Sequence, residues 1–194
     1  MRRFVLLAAL AFGLVFSATR FSRRAGPTVL AVGPEVERLL TDSASVDALV
    51  GVYIGSSLCR WCRDPATVWN VRTVLDSIRA KGTRARQRVV LVGIDLAPEA
   101  GHGLDHLRSM GKFNQVALGG GALAEAARPF FWGEMAGPAA TPQVVVFVRR
   151  QRLAGQASGT FAVAADEPHL LSRKAGVPEL ERWVRDGVPI PAYR

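Results

Sequence analysis

Three runs of aliphatic and β-branched residues stand out along the chain, at residues 49–54 (LVGVYI), 89–94 (VVLVGI) and 144–148 (VVVFV). Each is continuous rather than alternating, as expected of a strand buried on both faces. Between the first two, Val68, Val71, Leu75 and Ile78 recur at spacings of three and four. That spacing predicts a helix from just after Cys62 to about Lys81, with Gly82 as its stop. Residues 34–40 predict a short helix, with Pro34 near its start and Glu35 and Glu37 in its first turn. Further along, residues 104–110 predict a helix, 116–118 a short strand, and 122–131 a helix after three glycines. Charged residues 149–152 predict a turn into a weaker strand near Leu153, residues 160–176 a loop, and residues 179–185 a last short helix. Strands alternating with helices imply an α/β sheet, parallel at least in its middle. Neither a repeat nor a second-domain boundary interrupts the pattern.

The N-terminus follows a different rule. Arg2 and Arg3 precede an apolar stretch over residues 4–16, then Ser17-Ala18-Thr19 and the cluster Arg20, Arg23 and Arg24. A charged head, a short apolar body and small residues after it describe an export signal. Cleavage after Ser17 would put Val15 and Ser17 at the small-residue positions. Counted over residues 4–19, the stretch makes about 24 Å of helix, just short of a bilayer span, so an uncleaved anchor fits only tightly. Residues 1–24 are therefore expected to act as a signal peptide or membrane anchor, and residues 25–194 to form one domain. The expected location is outside the cytoplasm, free in the periplasm or tethered facing it, where disulfides persist.

Charge alone would suggest an anionic partner, because 25 basic residues against 16 acidic ones leave +9. Five of the arginines flank the N-terminal stretch, however, and the rest of the chain carries an ordinary excess with no basic stripe interleaved with aromatics. No nucleic-acid partner is expected. The chain is 49% hydrophobic and 21% charged, which describes a globular folder and excludes a disordered tail. Its two cysteines are too few for a disulfide scaffold and supply half of a four-cysteine zinc site.

Those two cysteines carry the candidate chemistry. Cys59 and Cys62 have Cys-x-x-Cys spacing, follow a buried strand directly and are expected to open a helix. Two intervening residues let the sulfurs meet in a disulfide. A helix N-terminus, with its unpaired N–H groups, would lower the pKa of the first thiol, and Arg60 and Arg63 push the same way. Such a pair beside a βαβ pattern is a redox signature. No His lies at zinc-ligand spacing from it.

The residues then show a resemblance. The segments at residues 50–62 (VGVYIGSSLCRWC), 89–95 (VVLVGID) and 140–147 (ATPQVVVF) together resemble a thioredoxin-fold protein. The resemblance covers roughly residues 45–157, with residues 179–185 matching the last helix. It implies an α/β thioredoxin fold: a central mixed sheet, helices on both faces, and a cis-Pro142 before the last parallel strand, facing the cysteines. The long piece between Asp95 and Pro142 resembles the helix-strand-helix insertion of exported redoxins. These are the cytochrome-maturation and TlpA-like thioredoxins and the Sco-type copper-assembly proteins.

Departures from the family pattern carry information too. Leu58 stands where thioredoxins usually have Trp. Tyr53 stands where many carry a buried acid that accepts a proton, which implies a slower or differently tuned reductant. Sco-type proteins space their cysteines by three residues and add a His ligand, where Ala140 stands here. Outside the pair, His102 and His106 are four apart, but Gly101 and Gly103 disfavour a helix at His102 and no third ligand is apparent, so solvent-exposed loop is expected rather than a metal site. His169 is expected in a turn, Gly119-Gly120-Gly121 as a hinge or tight turn, and Phe130, Phe131 and Trp132 in the core.

The expected function is an exported thiol-disulfide oxidoreductase that exchanges electrons with protein thiols and disulfides. Its site residues are Cys59, Cys62, Pro142 and Arg60, and it needs no cofactor beyond the Cys59–Cys62 redox pair. Cys59 is expected to be the nucleophile and Cys62 the resolving thiol, with Arg60 making the pair more oxidising. The alternative is a Sco-like assembly protein on the same fold, with Cu(I) as its cargo.

Overall fold

The computed structural model describes residues 45–155, 161–165 and 167–193. The expected export segment and the helix expected over residues 34–40 lie outside them. Strand β1 (Ser45–Gly55) leads through a turn to α1 (Pro65–Arg84), then β2 (Arg88–Asp95), α2 (Ala100–Met110) and β3 (Gln115–Leu118). A 3-10 turn (Gly121–Leu123) and the one-turn α3 (Arg128–Phe131) precede β4 (Gln143–Gly155), β5 (Phe161–Ala165), β6 (His169–Ala175) and α4 (Val177–Arg185).

These strands form one mixed sheet in the order β3-β2-β1-β4-β5, with β6 also paired to β4. β1 runs parallel to β2, with Val50 opposite Val90 and Ile54 opposite Ile94. β2 runs parallel to β3. On its other side β1 is antiparallel to β4, with Val52 opposite Val145. This is the architecture that the resemblance implies.

Alternation along β1 and β4 divides the core between two faces. Leu49 and Tyr53 join Val144, Val146 and Val148 on one face, under Val71, Leu75 and Ile78 of α1, Leu107 and Met110 of α2, and Leu180 and Trp183 of α4. Val50, Val52 and Ile54 join Val145 and Phe147 on the other, against Phe130, Phe131 and Met135 from α3 and the loop after it.

Several local expectations are corrected. Gly82 lies inside α1 rather than at its stop. A Cβ there would come within 2.0 Å of Val89 Cγ2, so this glycine lets the last turn lie against β2. The helix expected over residues 122–131 is only the 3-10 turn and α3. The three glycines before it adopt left-handed φ values of 81, 80 and 63°, a tight turn that suits glycine. Residues 149–152 do not turn. β4 runs through them, with Arg150 opposite Asp47 and joined to its carboxylate at 2.8 Å. The expected loop over residues 160–176 instead supplies β5 and β6, which both pair along β4, and His169 begins β6. Trp132 is 61% exposed, while Phe130 and Phe131 are buried. Among the described residues no helix is long and apolar enough to cross a membrane.

Candidate active site around Cys59 and Cys62

Between β1 and α1 the chain makes consecutive turns over residues 56–64, and both cysteines lie in them. The helix expected to open at the cysteines begins only at Pro65, with Asp64 as its N-cap. The Asp64 carboxylate accepts from the N–H groups of Ala66 and Thr67 at 2.9 and 3.3 Å. Asp at the cap and Pro at the first helical position form a strong start signal. Proline also disfavours helical geometry at the residue before it, and Asp64 is extended (ψ 131°). The end of the helix is thus occupied by a carboxylate. What lowers the pKa of Cys59 must come from nearer groups.

Those groups are in the turn itself. The N–H of Cys59 donates to Ser56 O at 3.0 Å, and that of Cys62 donates to Cys59 O at 3.1 Å. The Cys62 N–H also points at Cys59 Sγ, 3.3 Å away. Both cysteines are free thiols, Cys59 partly buried and Cys62 wholly so. Burial alone would raise the Cys59 thiol. Hydrogen bonds from the side chains of Cys62 and Thr141 and from the backbone of Cys62 and Trp61 outweigh it, and its pKa falls below the ordinary thiol value. For Cys62, burial comes first and the neighbouring Cys59 adds to it, so its pKa is pushed up to about 12.

Pro142 closes the site from β4. The Thr141–Pro142 bond is cis, as expected. The Thr141 side chain lowers the pKa of both thiols, and the Pro142 carbonyl accepts from the Gly176 N–H at 2.7 Å. Trp61, Thr141, Pro142, Val177 and Pro178 line a mostly apolar groove of about 380 Å³ beside the cysteines. The Arg60 guanidinium lies 4.2 Å over the Trp61 ring, a cation–π contact on the rim.

Beneath the pair is a buried polar chain that the sequence reading missed. Tyr53 on β1 is fully buried. Its hydroxyl lies 3.4 Å from His106 Nε2. His106 is not in an exposed loop. It sits on the inner face of α2, with Nδ1 2.5 Å from Asp95 Oδ2. The Asp95 carboxylate also accepts from the Ser57 N–H at 2.9 Å and the Ala97 N–H at 2.8 Å, which fixes the start of the cysteine turn. His102 is on the same helix but points outward, paired with Glu99 at 2.8 Å. Burial foremost, then Cys62, raises the Tyr53 phenol well above its usual value.

No family model matches the chain, and no curated protein sequence matches it. Among solved structures it is similar to the thioredoxin domain of a thiol-disulfide oxidoreductase from Bacteroides vulgatus. That similarity has a TM-score of 0.40 at 12% identity, over 77% of this chain and 84% of the other. It is also similar to ScoI with copper bound from Arabidopsis thaliana, with a TM-score of 0.37 at 12% identity, over 78% and 85% of the two chains. ScoI with copper bound from Bradyrhizobium japonicum gives a TM-score of 0.32 at 14% identity, over 70% and 85%.

Proposed function

We propose that the protein is a thiol-disulfide oxidoreductase acting on partner proteins through Cys59 and Cys62. The observation that supports it best is the contrast between the two thiols: one partly open with a lowered pKa, the other buried and raised to about 12. Thiolate is the attacking species, so Cys59 is the nucleophile. Its Sγ attacks one sulfur of a partner disulfide and forms a mixed disulfide, and the other partner sulfur leaves as thiolate. Cys62 Sγ, once deprotonated, attacks Cys59 Sγ, and the second partner sulfur leaves. Two electrons pass to the partner, and Cys59–Cys62 becomes a disulfide; the reverse sequence oxidises a partner. The groove at Trp61, Thr141 and Pro142 offers an apolar surface where the partner chain would lie. Export through residues 1–24, with periplasmic placement or a tether over residues 4–19, belongs to the same proposal and is supported by the sequence pattern.

Copper as cargo fits less well. Ala140 stands where the resemblance to Sco-type proteins calls for His, and no group of three or more His, Cys, Asp or Glu side chains forms a metal cluster among the described residues. The test is trapping. Cys62→Ser should accumulate mixed disulfides with partner proteins through Cys59, and Cys59→Ser should accumulate none. If neither variant traps a partner and the reduced pair binds Cu(I) tightly, copper delivery replaces the oxidoreductase proposal.

A further inference from the structure

Resting on the oxidoreductase proposal for its consequence, we infer that Gln143 and Arg173 are positioning residues for the cysteine pair, together fixing the loop that brings Thr141 to it. Neither side chain lines the groove at Trp61. They act through the loop.

Residues 132–142 join α3 to β4 and belong to neither. Such a stretch has no ladder of its own, so its inward carbonyls need donors from elsewhere. Two side chains supply them. Gln143 opens β4 and is wholly buried, and Arg173 is on β6, opposite Val145. Residues two apart on a strand share a face, and so do antiparallel partners, so Gln143, Val145 and Arg173 are on one side of the sheet. Val145 packs there against Phe130, Phe131 and Met135. The Arg173 guanidinium donates to Phe130 O at 3.1 Å, to Gln143 Oε1 at 3.0 Å, and to Met135 O. The Gln143 amide nitrogen donates to Ala140 O at 2.9 Å and to Pro138 O at 3.4 Å. Carbonyls of residues 130, 135, 138 and 140 thus converge on one guanidinium and one amide.

The donor chemistry fixes which way the amide faces. A guanidinium only donates, so Oε1 must meet Arg173 and the NH₂ group must meet the two carbonyls. A buried polar group left without its partner is costly, so the two side chains hold as a unit. Gly137 makes room for them. A Cβ there would lie 2.5 Å from Arg173 Nη1, and only glycine lets the guanidinium lie against the backbone at that point. Thr141 follows Ala140 and stands two residues before Gln143, so its backbone is held on both sides. Its side chain lines the groove with Trp61 and lowers the pKa of both thiols. A shift of the loop therefore reaches the cysteines through Thr141.

Alkylating the reduced protein across a pH series reads the Cys59 midpoint without any partner. Gln143→Leu removes the amide's hydrogen bonds without changing a charge. It should raise the midpoint and cut the Cys59 thiolate fraction at lower pH by at least about threefold. Arg173→Lys keeps the charge but loses the fork, and should raise the midpoint too. Thr141→Val keeps the shape and loses the hydroxyl, so in that background neither substitution should move the midpoint further. Arg60, Arg63 and Asp95, the charged groups of the turn and its base, are unchanged throughout. A midpoint that stays put in the folded variants would overturn the positioning role, even with stability lost in urea. So would a rise as large with Thr141→Val as without it. If Gln143→Leu fails to fold, Arg173→Lys decides. No mixed disulfide in Cys62→Ser would overturn the oxidoreductase proposal instead, while the midpoints still decide the positioning role.

Discussion

The backbone N–H of Cys62 points at the sulfur of Cys59, 3.3 Å away. A hydrogen bond of this kind favours the charged form of its acceptor. In the proposed mechanism the residue that resolves the reaction would also help to prepare the nucleophile, through its backbone and not its thiol. Reducing the protein and alkylating it across a pH series separates the two roles. Because the Cys59 pKa is lowered, its thiolate persists as pH falls below the ordinary thiol value of 9.0. Cys59 labelling should therefore show a midpoint below that value, and Cys62 should resist labelling until pH approaches about 12. Peptide mass spectrometry reads both. Labelling of Cys62 ahead of Cys59 would reverse the assigned roles.

Gly55 makes room for the Tyr53 phenol. In Gly55→Ala the added methyl must displace that ring, because its nearest ring carbon lies 2.5 Å away and the oxygen closer still. Overpacking of this kind costs about 1–3 kcal/mol. Urea unfolding should show the loss. An alanine variant of full stability would show that the ring has an alternative seat.

Arg60 is the residue whose expected role the structure narrows most. Its guanidinium rests on the Trp61 ring, and its side chain is exposed. An exposed charge contributes under about 1 kcal/mol, or less than about 22 mV for a two-electron couple. Arg60→Gln should lower the reduction potential, by no more than that, when the pair is equilibrated with glutathione buffers. A larger drop would mean that Arg60 leaves Trp61 and reaches the thiolate.

The strands at residues 49–54, 89–94 and 144–148 were legible because a strand buried on both faces must be apolar at every position. β5 and β6 were not. Both pair antiparallel to β4; on β6 Leu170 remains 44% exposed, so little apolar patterning is required of it, and β5 is a five-residue run too short for its period to declare a strand. At the site, the cysteine spacing and Thr141-Pro142 were plain, but the start of α1 was misread although Asp64-Pro65 announces it. His106 falls within the helix expected over residues 104–110, but the glycines at 101 and 103 obscure which face of that helix is buried. Gly103, His106, Leu107 and Met110 are the buried residues of α2, spaced by three, one and three, which is one helical face. That spacing was the available signal, and Gly103 is small because a carboxylate lies against it, not because the chain bends there.

The turn that carries the cysteines is fastened at both ends by carboxylates: Asp95 grips Ser57 where the chain leaves β1, and Asp64 holds Ala66 and Thr67 where it enters α1. The intervening residues 58–63 belong to neither the strand nor the helix. Opening or closing the Cys59–Cys62 bond can therefore rearrange this short bridge while the hydrogen-bond registers on either side stay as they are. The bridge behaves as an interchangeable cartridge. Positions 60 and 61 lie between the two fixed clips, so substitutions there leave the scaffold's hydrogen bonds at Ser57, Ala66 and Thr67 in place.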